Sequence, residues 1–144
     1  MKATLWVRIA ACLAALYALG HTLGMPWTAR HDPQAQGVVV AMQGVHFQAA
    51  GRTRSYWEFY QGFGLAVSVL LLVEAALLWQ LAGMARSAGR YRLLVLTHGL
   101  GFAALAIIAE RYLFALPLWL ALAIAACLAV ALALPQPKDG VRGD

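Results

Sequence analysis

Four apolar stretches, each near the length that crosses a bilayer, govern what this chain can fold into. They are Ala3–Met25, Trp57–Leu81, Leu93–Leu113 and Leu116–Leu134. A helix needs about 20 predominantly apolar residues to span the hydrocarbon core. Inside that core every backbone polar group must find its partner within the structure, which favours helices. The chain is 62% hydrophobic and 12% charged, half the roughly 25% charged residues of soluble domains. The expected fold is all-α, an integral membrane four-helix bundle. Residues 1–134 form one transmembrane domain, and no length remains for a soluble catalytic module. Any chemistry must lie within the bundle or at its rims.

The connection between the first two spans is the only one long enough to hold further structure. Asp32-Pro33 is a helix start, with Asp as N-cap and Pro at the first helical position. Gly51 is a helix stop. Between them Val38, Met42, Val45 and Ala49 recur at helical spacing. A surface helix over about residues 33–50, lying on the extracytoplasmic side, follows. Met25-Pro26-Trp27 closes the first span beside an interfacial aromatic. Only Phe114-Ala115 separates the last two spans, Pro117 suits the first turn of the fourth helix, and Pro135 ends it. Residues 135–144 form a polar, disordered tail. Ala121, Ala125, Ala129 and Ala133 make a small-residue stripe of the kind that lets membrane helices approach closely.

The net charge of +5 is explained by loop charges rather than by nucleic acid, for which no motif or aromatic-interleaved basic stripe exists. If both termini share a side, Lys2, Arg8, Arg86, Arg90, Arg92, Lys138 and Arg142 lie there, and Arg30, Arg52, Arg54 and Arg111 lie opposite. Seven against four places the termini in the cytoplasm. Lys2, Arg8 and Ala18-Leu19-Gly20 have the outline of a cleavable leader. The apolar stretch continues past that point, so it is read as the first transmembrane helix. Cys12 and Cys127 sit near mid-span and read as small core residues rather than as a disulfide.

Glu74 stands in FGLAVSVLLLVEAALLWQL, residues 63–81, with no other charge in the segment. A carboxylate at such depth must be neutral, paired or turned to a polar cavity, and marks a functional site by default. At 1.5 Å per residue, Glu74 lies about 10 Å from the cytoplasmic end of its helix, His98 about 9 Å and Arg8 about 8 Å from theirs. Glu74 can share a proton with His98, as acid and base, or pair with Arg8. Such arrangements perturb acidities and build proton-transfer sites. The alternatives are a snorkelling Arg8, a packed His98 bonded to a carbonyl, and a Glu74 that only clasps two helices.

A second polar layer lies toward the outer face. It comprises His21 at the end of the first span, Trp57, Glu58, Tyr60 and Gln61 at the start of the second, and Glu110 and Arg111 at the end of the third. His46 hangs above from the surface helix. Together they suit a small-molecule pocket, or an ordinary interfacial belt. The four histidines lack ligand spacing and the cysteines are isolated, so no metal and no cofactor are expected.

The run Arg54-Ser55-Tyr56-Trp57-Glu58-Phe59-Tyr60-Gln61-Gly62-Phe63-Gly64-Leu65 resembles a pattern in small bacterial four-span membrane proteins of uncharacterised function. In these an aromatic-acid-aromatic-Tyr-x-Gly-Phe run opens the second helix. The resemblance extends loosely over the whole chain, through Gly20-His21 at the end of the first helix. It points to Trp57, Glu58, Tyr60 and Gly62 and brings no activity.

Three functional readings follow. The first is a membrane protein holding a lipophilic or amphiphilic small molecule in a polar intramembrane pocket, with Glu74 and His98 as acid and base if it is an enzyme, as for an isomerisation. The second is a non-catalytic accessory or assembly subunit bound to a membrane partner. The third is a small transporter acting as a homo-oligomer. The residues leave open whether there is catalysis at all.

Overall fold

The computed structural model describes residues 2–25, 32–84 and 88–135. The elements are α1 (Lys2–Gly24), α2 (Pro33–Gly44), β1 (His46–Ala49), β2 (Arg52–Ser55), α3 (Tyr56–Gly83), α4 (Ala88–Tyr112) and α5 (Ala115–Ala133). Four helices are long and apolar enough to cross a membrane: Lys2–Gly24, Tyr56–Gly83, Arg90–Tyr112 and Ala115–Ala133. These are the four expected spans, displaced by a few residues at their ends. The all-α class of a multi-pass membrane protein is therefore what the chain builds. Backbone contacts divide it into two compact units, Ala18–Leu70, and Met1–Tyr17 with Leu71–Asp144.

In the Ala18–Leu70 unit, α2 starts as its sequence dictates. The Asp32 side chain accepts a hydrogen bond from the Gln34 N–H at 3.0 Å, and proline occupies the first turn. The expected helix over residues 33–50 is too long, however. It stops at Gly44, and the last third is a β-hairpin. Val45 takes extended backbone, with φ −91° and ψ 122°. The strands then pair antiparallel, His46 with Ser55, Phe47 with Arg54, Gln48 with Thr53 and Ala49 with Arg52.

Ala50 and Gly51 close the hairpin, both at positive φ, 50° and 75°. Two positive angles in a two-residue turn match the right-handed twist of the flanking strands. Gly51 thus supplies a hairpin turn instead of a helix stop. The helical face read from Val38, Met42, Val45 and Ala49 fails with it. Val38 and Val45 are more than half exposed, whereas Ala35, Val39 and Met42 are the partly covered positions of α2.

Ser55 is the last residue of β2 and the N-cap of α3. Its backbone N–H donates to Glu58 Oε2 at 2.8 Å, and the Glu58 N–H donates to Ser55 Oγ at 3.2 Å. This reciprocal pair is a capping box, which satisfies two backbone donors at a helix entrance.

In the other unit, the largest fully buried side chains are Val7, Leu78, Val95, Ile124 and Leu128, drawn from α1, α3, α4 and α5. α4 and α5, joined by only Leu113 and Phe114, pack on each other as a tight hairpin. Pro117 sits in the first turn of α5, and Pro135 follows its last residue by two. The alanine stripe does not behave as read. Ala121 is buried, but Ala129 and Ala133 are exposed. A repeat of four overshoots the 3.6-residue turn, so the stripe winds off the contact. The buried face is Pro117, Ala121, Ile124, Leu128 and Ala131, alternating four and three. Cys127 is buried and Cys12 exposed, and both are free thiols, so only one is a core residue.

The polar tail from residue 136, the Pro26-Trp27 stop and the basic residues Arg30, Arg86, Lys138 and Arg142 lie outside the described residues.

Candidate functional site

The polar pair at mid-span is built by two helix faces. On α3 the buried lane runs through Leu71, Ala75 and Leu78, and Glu74 lies at its edge, one turn from both leucines. On α4 the lane is Tyr91, Val95, Phe102, Ala106 and Ala109. His98 fits between Val95 and Phe102 at spacings of three and four, a position the helical period assigns to the interior. An ionisable ring thus occupies a core lane that is otherwise apolar nearby.

His98 Nδ1 lies 2.7 Å from Glu74 Oε2. It is the only ion-pair contact among the described residues. The separation is that of a charge-assisted bond. This bond engages Nδ1 and leaves Nε2 as the ring nitrogen for a further partner. A carboxylate that fixes the tautomer of an imidazole in this way is the standard means of orienting a histidine base. The exposures are unequal. The His98 side chain is 15% exposed and that of Glu74 38%, so the carboxylate is reachable from outside its unit's core.

Of the two partners the sequence offered Glu74, the structure selects His98. Arg8 is exposed, and its guanidinium lies over the Trp79 ring at 5.5 Å. A cation over an indole face is held by the ring quadrupole, and that contact replaces a bond to the carboxylate.

The outer residues are engaged one by one in local structure. His21 Nε2 lies 3.1 Å from the Gly64 carbonyl, so that nitrogen is the protonated donor. The Thr22 hydroxyl is 2.7 Å from the Ala18 carbonyl and 2.9 Å from Ser68 Oγ, and Ser68 donates to the Gly64 carbonyl at 3.2 Å. The tip of the Met25 side chain packs over Gly64, in the space a Cβ there would take.

His46 is a strand residue whose Nδ1 bonds the Gly44 carbonyl at 3.0 Å. Trp57 is buried and stacks on Tyr60 at 5.6 Å. Gln61 is half-buried. Glu110 and Arg111 are exposed at the end of α4 in the other unit.

Sequence reasoning missed Ser55, although the Ser-x-x-Glu spacing before an apolar run signals a capping box. It also missed Trp79 as the partner of Arg8 and Phe47 as the hairpin's anchor. Phe47 packs on Tyr56 and Phe59 with ring centroids 5.1 and 5.3 Å apart. Among the described residues no three His, Cys, Asp or Glu side chains gather as a metal site would require. No protein-family model, no curated protein and no solved structure matches the chain.

Proposed function

We propose that this protein is a four-span protein of a bacterial inner membrane, with cytoplasmic termini, that holds an amphiphilic small molecule at Glu74–His98 and exchanges a proton with it. The observation that supports this reading is the 2.7 Å bond between His98 Nδ1 and a partly exposed Glu74 carboxylate. Glu74 orients the ring, and Nε2 is the atom that meets the bound molecule. A proton shift within that molecule, as in an isomerisation, needs one base that gives back what it takes, and a single oriented imidazole supplies it.

Native mass spectrometry of the protein extracted gently from its own membranes tests the reading. The expected result is a stoichiometric small-molecule mass, lost on denaturation and lost from Glu74→Gln while the helical content is unchanged. Retention of the same mass by Glu74→Gln and His98→Gln would sink it.

A second reading has its own support. His21, Thr22 and Ser68 are engaged in tying α1 to α3, which is what polar groups do in an accessory subunit that only has to hold its shape. It predicts that a second polypeptide accompanies the protein from the membrane, and that Glu74→Leu alters stability or that polypeptide's recovery but no chemistry.

A further inference from the structure

The Ala18–Leu70 unit, which contains neither Glu74 nor His98, carries a groove along the first turns of α3 that is independent of the reading above. It encloses about 380 Å³ and is lined by Arg54, Glu58, Phe59, Gly62, Phe63 and Ala66. Glu58, Gly62 and Ala66 follow one another every four residues, so they form a floor about 12 Å long. Phe59 and Phe63 make the wall, edge to face with centroids 4.7 Å apart. The trough is open at Gly62, where an added Cβ meets nothing within 4 Å.

The mouth of the groove is cationic. Arg52 and Arg54 alternate along β2 and so share one face of the hairpin, with Ala49 and Phe47 as their cross-strand partners. Phe47 is clamped on Phe59, which sets this face of the hairpin beside the aromatic wall. Arg54 uses one guanidinium nitrogen on the Thr53 carbonyl at 3.2 Å, and the guanidinium has further N–H groups to offer an acceptor. Glu58 keeps its negative charge while Oε2 accepts from the Ser55 N–H, so the two arginines, Arg52 and Arg54, outnumber one acid and the entrance stays net positive. The result is an apolar trough running into a membrane span from a basic entrance at its polar end.

The geometry points to a binding site for one anionic phospholipid of the surrounding bilayer. Its phosphate is held at Arg54 with support from Arg52, and an acyl chain lies over Gly62 and Ala66 against Phe63. A guanidinium fork matches phosphate oxygens in geometry as well as charge. A small soluble anion would leave the trough empty. A neutral lipid would leave the arginines unmatched.

The test uses the full chain in nanodiscs holding equal amounts of phosphatidylglycerol and phosphatidylcholine with identical acyl chains, read by native mass spectrometry after release. The protein is expected to retain one phosphatidylglycerol in preference to phosphatidylcholine. Arg54→Gln should lower that preference about fivefold, the scale of one basic residue at an anionic surface. Gly62→Leu, whose Cβ meets no neighbour within 4 Å, puts a side chain into the trough and should abolish retention of either lipid with helical content unchanged by circular dichroism. Glu74→Gln should retain the lipid as the unaltered protein does, which separates this site from the Glu74–His98 pair. Unaltered headgroup preference in Arg54→Gln, or unaltered retention in Gly62→Leu, would overturn the proposal. A dimer abolished by Arg54→Gln, with no lipid retained, would assign the groove to a second copy of the chain and overturn it equally.

Discussion

The two units treat their polar side chains differently. In residues 18–70 the side chains bond chiefly to backbone: Asp32 to the Gln34 N–H, His46 to the Gly44 carbonyl, Ser55 and Glu58 to each other's N–H, and His21 and Ser68 to the Gly64 carbonyl. In residues 71–135 the deep bond joins two ionisable side chains, His98 and Glu74. A group bonded to backbone has one task, since a carbonyl or an N–H does not change its charge. Two titratable groups bonded to each other retain a proton that can move. Apolar surroundings make either arrangement costly to leave unmade, but only the second joins two groups that can both change charge.

The largest expected effect comes from splitting the deep pair. His98→Leu should lower stability by about 2 kcal/mol, the cost of leaving a hydrogen-bonding group without its partner in apolar surroundings. The double replacement of Glu74 and His98 by leucine should recover most of that loss. Thermal unfolding in detergent, followed by circular dichroism, measures the cycle. Additive single effects would mean that the two side chains are not coupled, and the contrast between the units would fall.

Next comes the entrance of α3. Ser55→Ala removes a side-chain cap and should cost about 1 kcal/mol. The loss should appear as faster amide hydrogen exchange at Trp57 and Glu58, with the deep pair's region unaffected. Exchange that accelerates equally throughout α3 would show that the capping box is not a local device.

The smallest effect should follow Thr22→Val, which deletes a hydroxyl between α1 and α3. Interhelical hydrogen bonds in membrane proteins average about 0.6 kcal/mol, so the melting midpoint should barely fall. A loss as large as that of His98→Leu would erase the difference in kind between the two units.

Much of this was legible in the residues because lipid allows so few backbone solutions. Apolar length alone located all four membrane-crossing helices, and Asp32-Pro33 and Pro117 marked helix starts through their own backbone constraints. The hairpin was not legible, because Val38, Met42, Val45 and Ala49 satisfy a helical period that holds only as far as Gly44. His46–Ala49 finds its partner in Arg52–Ser55, and pairing between strands leaves no trace in a periodicity measured along one segment. The alanine stripe misled for a related reason. Small residues every four positions look like an interface, yet burial follows alternating threes and fours, set by the neighbouring helix.

The sequence by itself determined that this chain has four apolar helices of membrane-crossing length, because backbone hydrogen bonding without water has no other short solution. It also determined that Glu74 must be neutral, paired or turned to a polar cavity, because a lone carboxylate in hydrocarbon is too costly. Tertiary structure decided that it is paired, and with which residue. Arg8 and His98 stood at similar depths, and depth is all that a one-dimensional spacing can measure. The rotation of each helix about its axis turned Arg8 onto Trp79 and His98 onto Glu74. Those rotations are set by side-chain packing between helices, which no single helix contains.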